Sequence, residues 1–262
     1  MPDQLLHLPL LAAGSLVIAA LCGYSLLGLA ATRRWILPRL DVTGEDSEFS
    51  GAMVQAIMVF YGLAVALVAV NVWETYSEVS GVVSLEASRI AALHRDVSGY
   101  PEPLRSELLG EIHGYTDYVI TTAWPLQRDG VHPTGGIQWM DRIQKSLFSF
   151  EPATTGSQAM HAEALRAYNQ LIEARRLRMD GMLVKLPNVL WFMISAGALI
   201  SLSSTFLFKV RDRRLHATLV LLLSTFIGLV ITLVLAFDRP FRGDLGIGPE
   251  PYELVRDQLM NR

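Results

Sequence analysis

The chain holds one cysteine, Cys22, in 262 residues. A lone thiol can neither close an intramolecular disulfide nor complete a cysteine-based zinc site, so the fold must rest on packing. Charge is scarce as well, at 18% of residues, and its absence is concentrated. Four windows, Leu8–Thr32, Gly51–Trp73, Leu186–Phe208 and Leu215–Phe237, run 23 to 25 residues each with no charged side chain except His216. A helix of that length crosses about 30 Å of hydrocarbon at about 1.5 Å per residue. With 51% hydrophobic residues and a mean hydropathy of +0.34, the chain reads as an integral membrane protein, since four long helices apolar all round are too many for a soluble chain this short.

Other absences narrow the function. No segment alternates with period two over a strand's length, and no internal repeat is visible. There is no nucleophile elbow, phosphate loop or paired catalytic acid in a recognisable setting, so no enzyme and no cofactor are expected. Met1–Pro9 contains Asp3 but no Lys or Arg, so the first window is expected to be a retained span rather than a cleaved leader. The spans contain polar residues such as Tyr61, Ser224 and Thr232 but no carboxylate, which argues against a proton-coupled relay.

The charges that are present orient the spans. Arg33, Arg34 and Arg39 lie between the first two windows, and Lys209, Arg211, Arg213 and Arg214 between the last two. Basic short loops stay cytoplasmic, which places the termini and the insert, residues 74–185, outside or in the periplasm of a multi-pass cell-membrane protein. Arg175, Arg176, Arg178 and Lys185 stand against this rule on the other flank, where the three arginines are expected to pair with Glu74 and Glu78. The insert carries 14 acidic and 11 basic side chains and no basic stripe, so nucleic acid is not an expected partner. Its apolar residues recur at helical spacing: Val79, Val83, Ile90 and Val97; Leu104, Leu108, Ile112, Tyr115 and Val119; Ile137, Met140 and Leu147; Leu165, Tyr168, Ile172 and Met179. The first of these helices continues the second span, and Pro187 is expected to kink the last at the membrane entry. The fold class is therefore all-α: a first transmembrane pair in 1–73, a helical extramembrane domain in 74–185, a second pair in 186–237, and a C-terminal corner and tail in 238–262.

Two constellations stand out. At the end of the fourth span lie Asp238, Pro240, Phe241, Gly243 and Asp244. Proline stops the helix and glycine permits a reversal, so the segment reads as a structural corner, with a cation clasp through Asp238 and Asp244 as the alternative. On the second span, Gln55, Val59, Leu63, Ala66, Val70, Asn71, Glu74 and Glu78 would give an oligomeric pore an apolar middle and polar ends, against the plainer reading of an ordinary polar helix end. Small residues, Gly62, Ala66 and Ala69 on the second span and Ser195, Ala198, Ser201 and Thr205 on the third, suit close helix approach. The insert's His94, His113, His132 and His161 are too scattered for metal-binding spacing, so no metal is expected.

The order of two spans, a helical insert and two spans, the stretch NVWETYSEVSGVVSLEASRIAALHRD after the second span and DRPFRGD after the fourth resemble the bestrophin-like family of membrane proteins. That family takes its name from bestrophins, pentameric anion channels with four membrane helices per subunit and a Pro-Phe-Gly-acidic segment. Here the matching residues are Pro240, Phe241, Gly243 and Asp244, with Arg242 interrupting the order. The resemblance implies a homo-oligomer in a lipid bilayer, pentameric by analogy, that passes inorganic ions. Bestrophins carry their insert in the cytoplasm, whereas the short-loop charges here place it on the other side. The competing reading is a non-conducting membrane protein whose helical insert senses or binds a partner.

Overall fold

The computed structural model describes residues 9–39, 44–208 and 210–260, with side chains from 49 onward in the second stretch. Asp3, Leu8 and Lys209, which entered the sequence argument, lie outside the described residues. Among those residues every regular element is helical. In chain order these are α1 (Leu10–Ala31), α2 (Gly44–Val97), α3 (Leu104–Tyr118), α4 (Trp124–Arg128), α5 (Gly136–Phe148), α6 (Thr155–Gly181), α7 (Asn188–Phe206), α8 (Arg213–Phe237) and α9 (Glu250–Val255). Four helices, α1, α2, α7 and α8, are long and apolar enough to cross a membrane. Contacts divide the chain into two compact units, Met1–Glu74 with Lys185–Asp238 and Thr75–Val184 with Arg239–Arg262, and the division falls inside α2.

The first unit is built by close approach of α1, α7 and α8. Where α1 meets α8, a Cβ on Gly228 would come within 2.7 Å of the Ile18 side chain and 3.1 Å of its Cα, so only glycine fits. Beside it the hydroxyls of Ser25 and Ser224 pair at 2.6 Å with no solvent contact. Ser224 also donates to its own helix through the Val220 carbonyl, which leaves each buried hydroxyl with a partner. The α2 segment packs through Val65, Val68 and Val72 onto Ile194 and Val234. Pro187 does not kink a continuous helix as expected. Helix α6 ends at Gly181, and Pro187 stands at the start of α7 with its carbonyl accepting from Leu190 N–H. Proline tolerates the N-terminal boundary because that position needs no amide donor.

The second unit has one core formed by α2, α3, α5, α6 and the tail. Val83, Ile90 and Val97 of α2 and Leu108, Ile112 and Tyr115 of α3 have no exposed surface, as the spacing predicts. Two faces differ from expectation. On α5 the buried large apolar residues are Met140, Ile143 and Leu147, while Ile137 is exposed. On α6 the buried residues include Ala164, Ala167, Tyr168, Leu171, Ala174, Arg178 and Met179, while Ile172 faces outward. Of the residues that the spacing picks out on α6, Tyr168 and Met179 are buried and Leu165 packs partly buried against the core, whereas Ile172 falls beside the inward line through Tyr168, Leu171 and Ala174. Thr154 caps α6 by accepting from Ser157 N–H at 3.1 Å, and the Ser157 hydroxyl accepts from Thr154 N–H at 2.9 Å, a reciprocal pair that satisfies two donors.

This division of faces predicts unequal costs on one helix. Ile143→Ala should destabilise the protein by about 2–5 kcal/mol through a core cavity, whereas Ile137→Ala should fall within about 0.5 kcal/mol. Thermal unfolding of the purified protein in detergent separates the two.

Candidate functional site

The second-span residues singled out by sequence share one side of α2. Gln55, Val59, Leu63, Ala66, Val70, Asn71, Glu74 and Glu78 are all exposed. At about 100° per residue, Val59, Leu63, Ala66 and Val70 lie roughly opposite Tyr61, Val65, Val68 and Val72, the residues packed within the first unit. The apolar members are open, Val59 at 62% and Leu63 at 58% exposure. This is an apolar stripe with Gln55 before it and Asn71 and Glu74 after it, uncovered by any described part of its own chain.

The residues around the end of α8 separate into two roles. Asp238 is buried and its Oδ1 accepts from Leu186 N–H at 2.6 Å, which ties the end of α8 to the segment entering α7. From Arg239 onward the chain belongs with the helical unit. Gly243 takes φ +79°, a left-handed conformation that side chains disfavour. The Pro240 carbonyl accepts from Ile247 N–H at 2.8 Å and closes the loop. Phe241 is buried edge-on against Trp124 at 5.7 Å, and Trp124 Nε1 donates to the Ile247 carbonyl at 3.0 Å. Tyr76 donates to the Leu245 carbonyl at 3.0 Å. Asp244 is exposed.

Sequence reasoning missed the most polar buried cluster. Arg178 of α6 is 1% exposed and Glu86 of α2 is fully buried. Arg178 Nε donates to Glu86 Oε2 at 2.6 Å and Nη2 to Oε1 at 3.3 Å, a fork-to-carboxylate geometry, while Nη1 donates to Gln127 Oε1 at 2.7 Å. The Tyr115 hydroxyl donates to Glu86 Oε1 at 2.5 Å. The guanidinium also lies over the Trp124 ring at 5.7 Å and the Tyr252 ring at 6.0 Å. Burial, then the neighbouring Glu86 charge, raises the pKa of Tyr115 and of Tyr252 well above the phenol range. For Arg178 burial alone would favour loss of the proton, but Glu86 outweighs it and holds the guanidinium charged. The expected pairing of Arg178 with Glu74 or Glu78 is thereby corrected: its partner is Glu86. A legible signal existed, because Glu86 interrupts the buried stripe between Val83 and Ile90, three residues after one and four before the other.

The insert histidines make separate contacts. His161 Nδ1 lies 2.6 Å from the Tyr100 hydroxyl, and His113 Nε2 lies 3.4 Å from Asp117. Burial, with a smaller effect of His113, lowers the pKa of His94. His132 is exposed. Among the described residues no three His, Cys, Asp or Glu side chains converge as a metal site.

Removing one member of the buried pair strands the other. Arg178→Met should cost about 3–5 kcal/mol, and adding Glu86→Leu should recover part of that loss, because the unpaired buried charge carries most of the penalty. A double-mutant cycle on unfolding in detergent measures it. Gly243→Val should lower stability by about 1–3 kcal/mol by forcing a β-branched residue into positive φ, read by thermal unfolding of the purified protein in detergent.

No curated protein and no solved structure matches the chain. The Bestrophin-like domain family model matches residues 19–252, which takes in part of α1, all of α2 to α8, the corner and Tyr252. The chain therefore belongs to the bestrophin-like domain family.

Proposed function

We propose that this membrane protein assembles as a homo-oligomer and conducts ions along an axis lined by α2, with α1, α2, α7 and α8 as its four spans and the helical unit outside the bilayer. The observation that carries the proposal is the uncovered stripe of α2, apolar from Val59 to Val70 and bounded by Gln55 and by Asn71 and Glu74. Around a symmetry axis those residues form a narrow apolar constriction that blocks ions by dewetting, between rings of polar groups. Membership in a family named for its likeness to bestrophins supports ion passage as the activity. The competing reading, a non-conducting sensor that binds a partner through the helical unit, draws on the exposed Ile137, Phe148 and Leu177 of that unit.

The orientation follows the short basic loops: Arg33, Arg34 and Arg39 on the cytoplasmic side with Arg211, Arg213 and Arg214, and the helical unit outside. In a Cys22→Ser background, Asp129→Cys should react with an impermeant thiol reagent in intact cells and Arg211→Cys should not. The reverse pattern inverts the topology.

Conduction is tested in liposomes. Leu63→Ser and Ala66→Ser should raise ion flux by hydrating the constriction, and Glu74→Gln should shift the cation-to-anion preference towards anions. A monomeric or dimeric particle with a solid core, and no flux from the parent or either serine variant, supports the sensor reading instead.

A further inference from the structure

A cavity of about 70 Å³ opens in the helical unit beside the corner, and its polar lining is cationic or neutral. Gln127, His132, Arg239 and Arg242 contribute side chains, no carboxylate lines it, and Leu183 supplies part of an apolar rim. The backbone reserves a place for one of the arginines. Gly130 takes φ +76°, and a Cβ there would sit 1.4 Å from Arg242 Nη2 and 2.1 Å from Cζ, so the guanidinium lies directly against the glycine. Among the described residues, no carboxylate stands within ion-pairing distance of Arg242. A second group is poised independently. Gln127 is 1% exposed, and its Oε1 is committed to Arg178 at 2.7 Å, which fixes the amide orientation. Its Nε2 then has only the soft Met179 sulfur at 4.0 Å, a poor acceptor for a buried amide donor.

We infer that this cavity binds a phosphate-type oxyanion, held by the Arg242 guanidinium and the Gln127 amide, with His132 among the lining side chains. The planar Arg242 guanidinium suits an oxyanion, because its fork geometry matches two oxygens at once. The volume corresponds to about two molecules of liquid water, which admits one phosphate or the phosphate of a larger molecule but not a nucleotide base. The ligand is either free phosphate or the phosphate of an anionic lipid whose remainder stays outside the cavity. The site is a property of the helical unit alone and does not depend on whether the protein conducts.

The test uses the full chain purified in detergent and in nanodiscs. Inorganic phosphate should bind saturably by calorimetry and raise the melting temperature. Alternatively, phosphatidic acid in nanodiscs should do so while free phosphate and phosphatidylcholine do not, which assigns the lipid as the source. In either arm Arg242→Gln should weaken binding about tenfold or more while melting like the parent without ligand, since Arg242 is only partly buried. Gly130→Ala should weaken it as well by unseating the guanidinium, and Arg242→Lys should restore part of the affinity. The inference is overturned if the parent binds neither phosphate nor phosphatidic acid, or if Arg242→Gln binds as tightly as the parent.

Discussion

Arg178 carries a charge into a core without water, and the helical unit is organised around the cost of keeping it there. An isolated buried guanidinium would lose several kcal/mol of hydration. The compensation comes from widely separated stretches of chain: Glu86 on α2, Gln127 at the end of α4, Tyr115 on α3, and the ring faces of Trp124 and Tyr252. Each partner fixes an element that periodicity alone would leave free to rotate or slide. Apolar packing gives these helices a face, and the ion pair gives them a register, since a shift of one residue on α2 or α6 would leave one charge buried without the other.

The tail depends on the same arrangement. The segment 249–256, Pro-Glu-Pro-Tyr-Glu-Leu-Val-Arg, has too few apolar residues to predict a docked element, and sequence reading treats it as an extension of the corner. Tyr252 is nevertheless fully buried beside Arg178 and within 5.4 Å of Trp124. One aromatic anchor on a two-turn helix has no periodicity to detect. Its place follows from the guanidinium that it covers, so the tail could be placed only once the ion pair was known.

Much of the architecture was legible because it follows from length and period. Four uncharged windows mark the four long apolar helices, and the inward faces of α2 and α3 follow from Val83, Ile90, Leu108 and Ile112. The failures share a cause. Ile172 and Ile137 are large and apolar yet lie outside the core, whereas on α6 inward positions are held by Ala164, Ala174 and Arg178. Small and charged residues carry no hydrophobic signal, yet small ones let helices approach and paired charges fill space. Arg175, Arg176 and Arg178 are near neighbours in sequence, and pairing all three with Glu74 and Glu78 ignored the rotation of about 100° per residue that sends only Arg178 inward.

Gln127 joins the buried pair to the corner. Its carbonyl oxygen is held by Arg178 and its amide lines the cavity with Arg239 and Arg242. An amide is a rigid plane, so the charge that holds one end sets the direction of the other. Trp124, three residues earlier, touches the same guanidinium on one side and Phe241 and the Ile247 carbonyl on the other. The corner after α8 is thus more than a helix stop. Its Pro240 and Gly243 turn the chain so that Phe241 and Ile247 reach the Trp124 ring. Because α4 carries both Trp124 and Gln127, the same short element presents its aromatic ring to the corner and its amide to the cavity. Displacing Arg178 would therefore disturb the cavity and the corner together, even though Arg178 itself does not line the cavity.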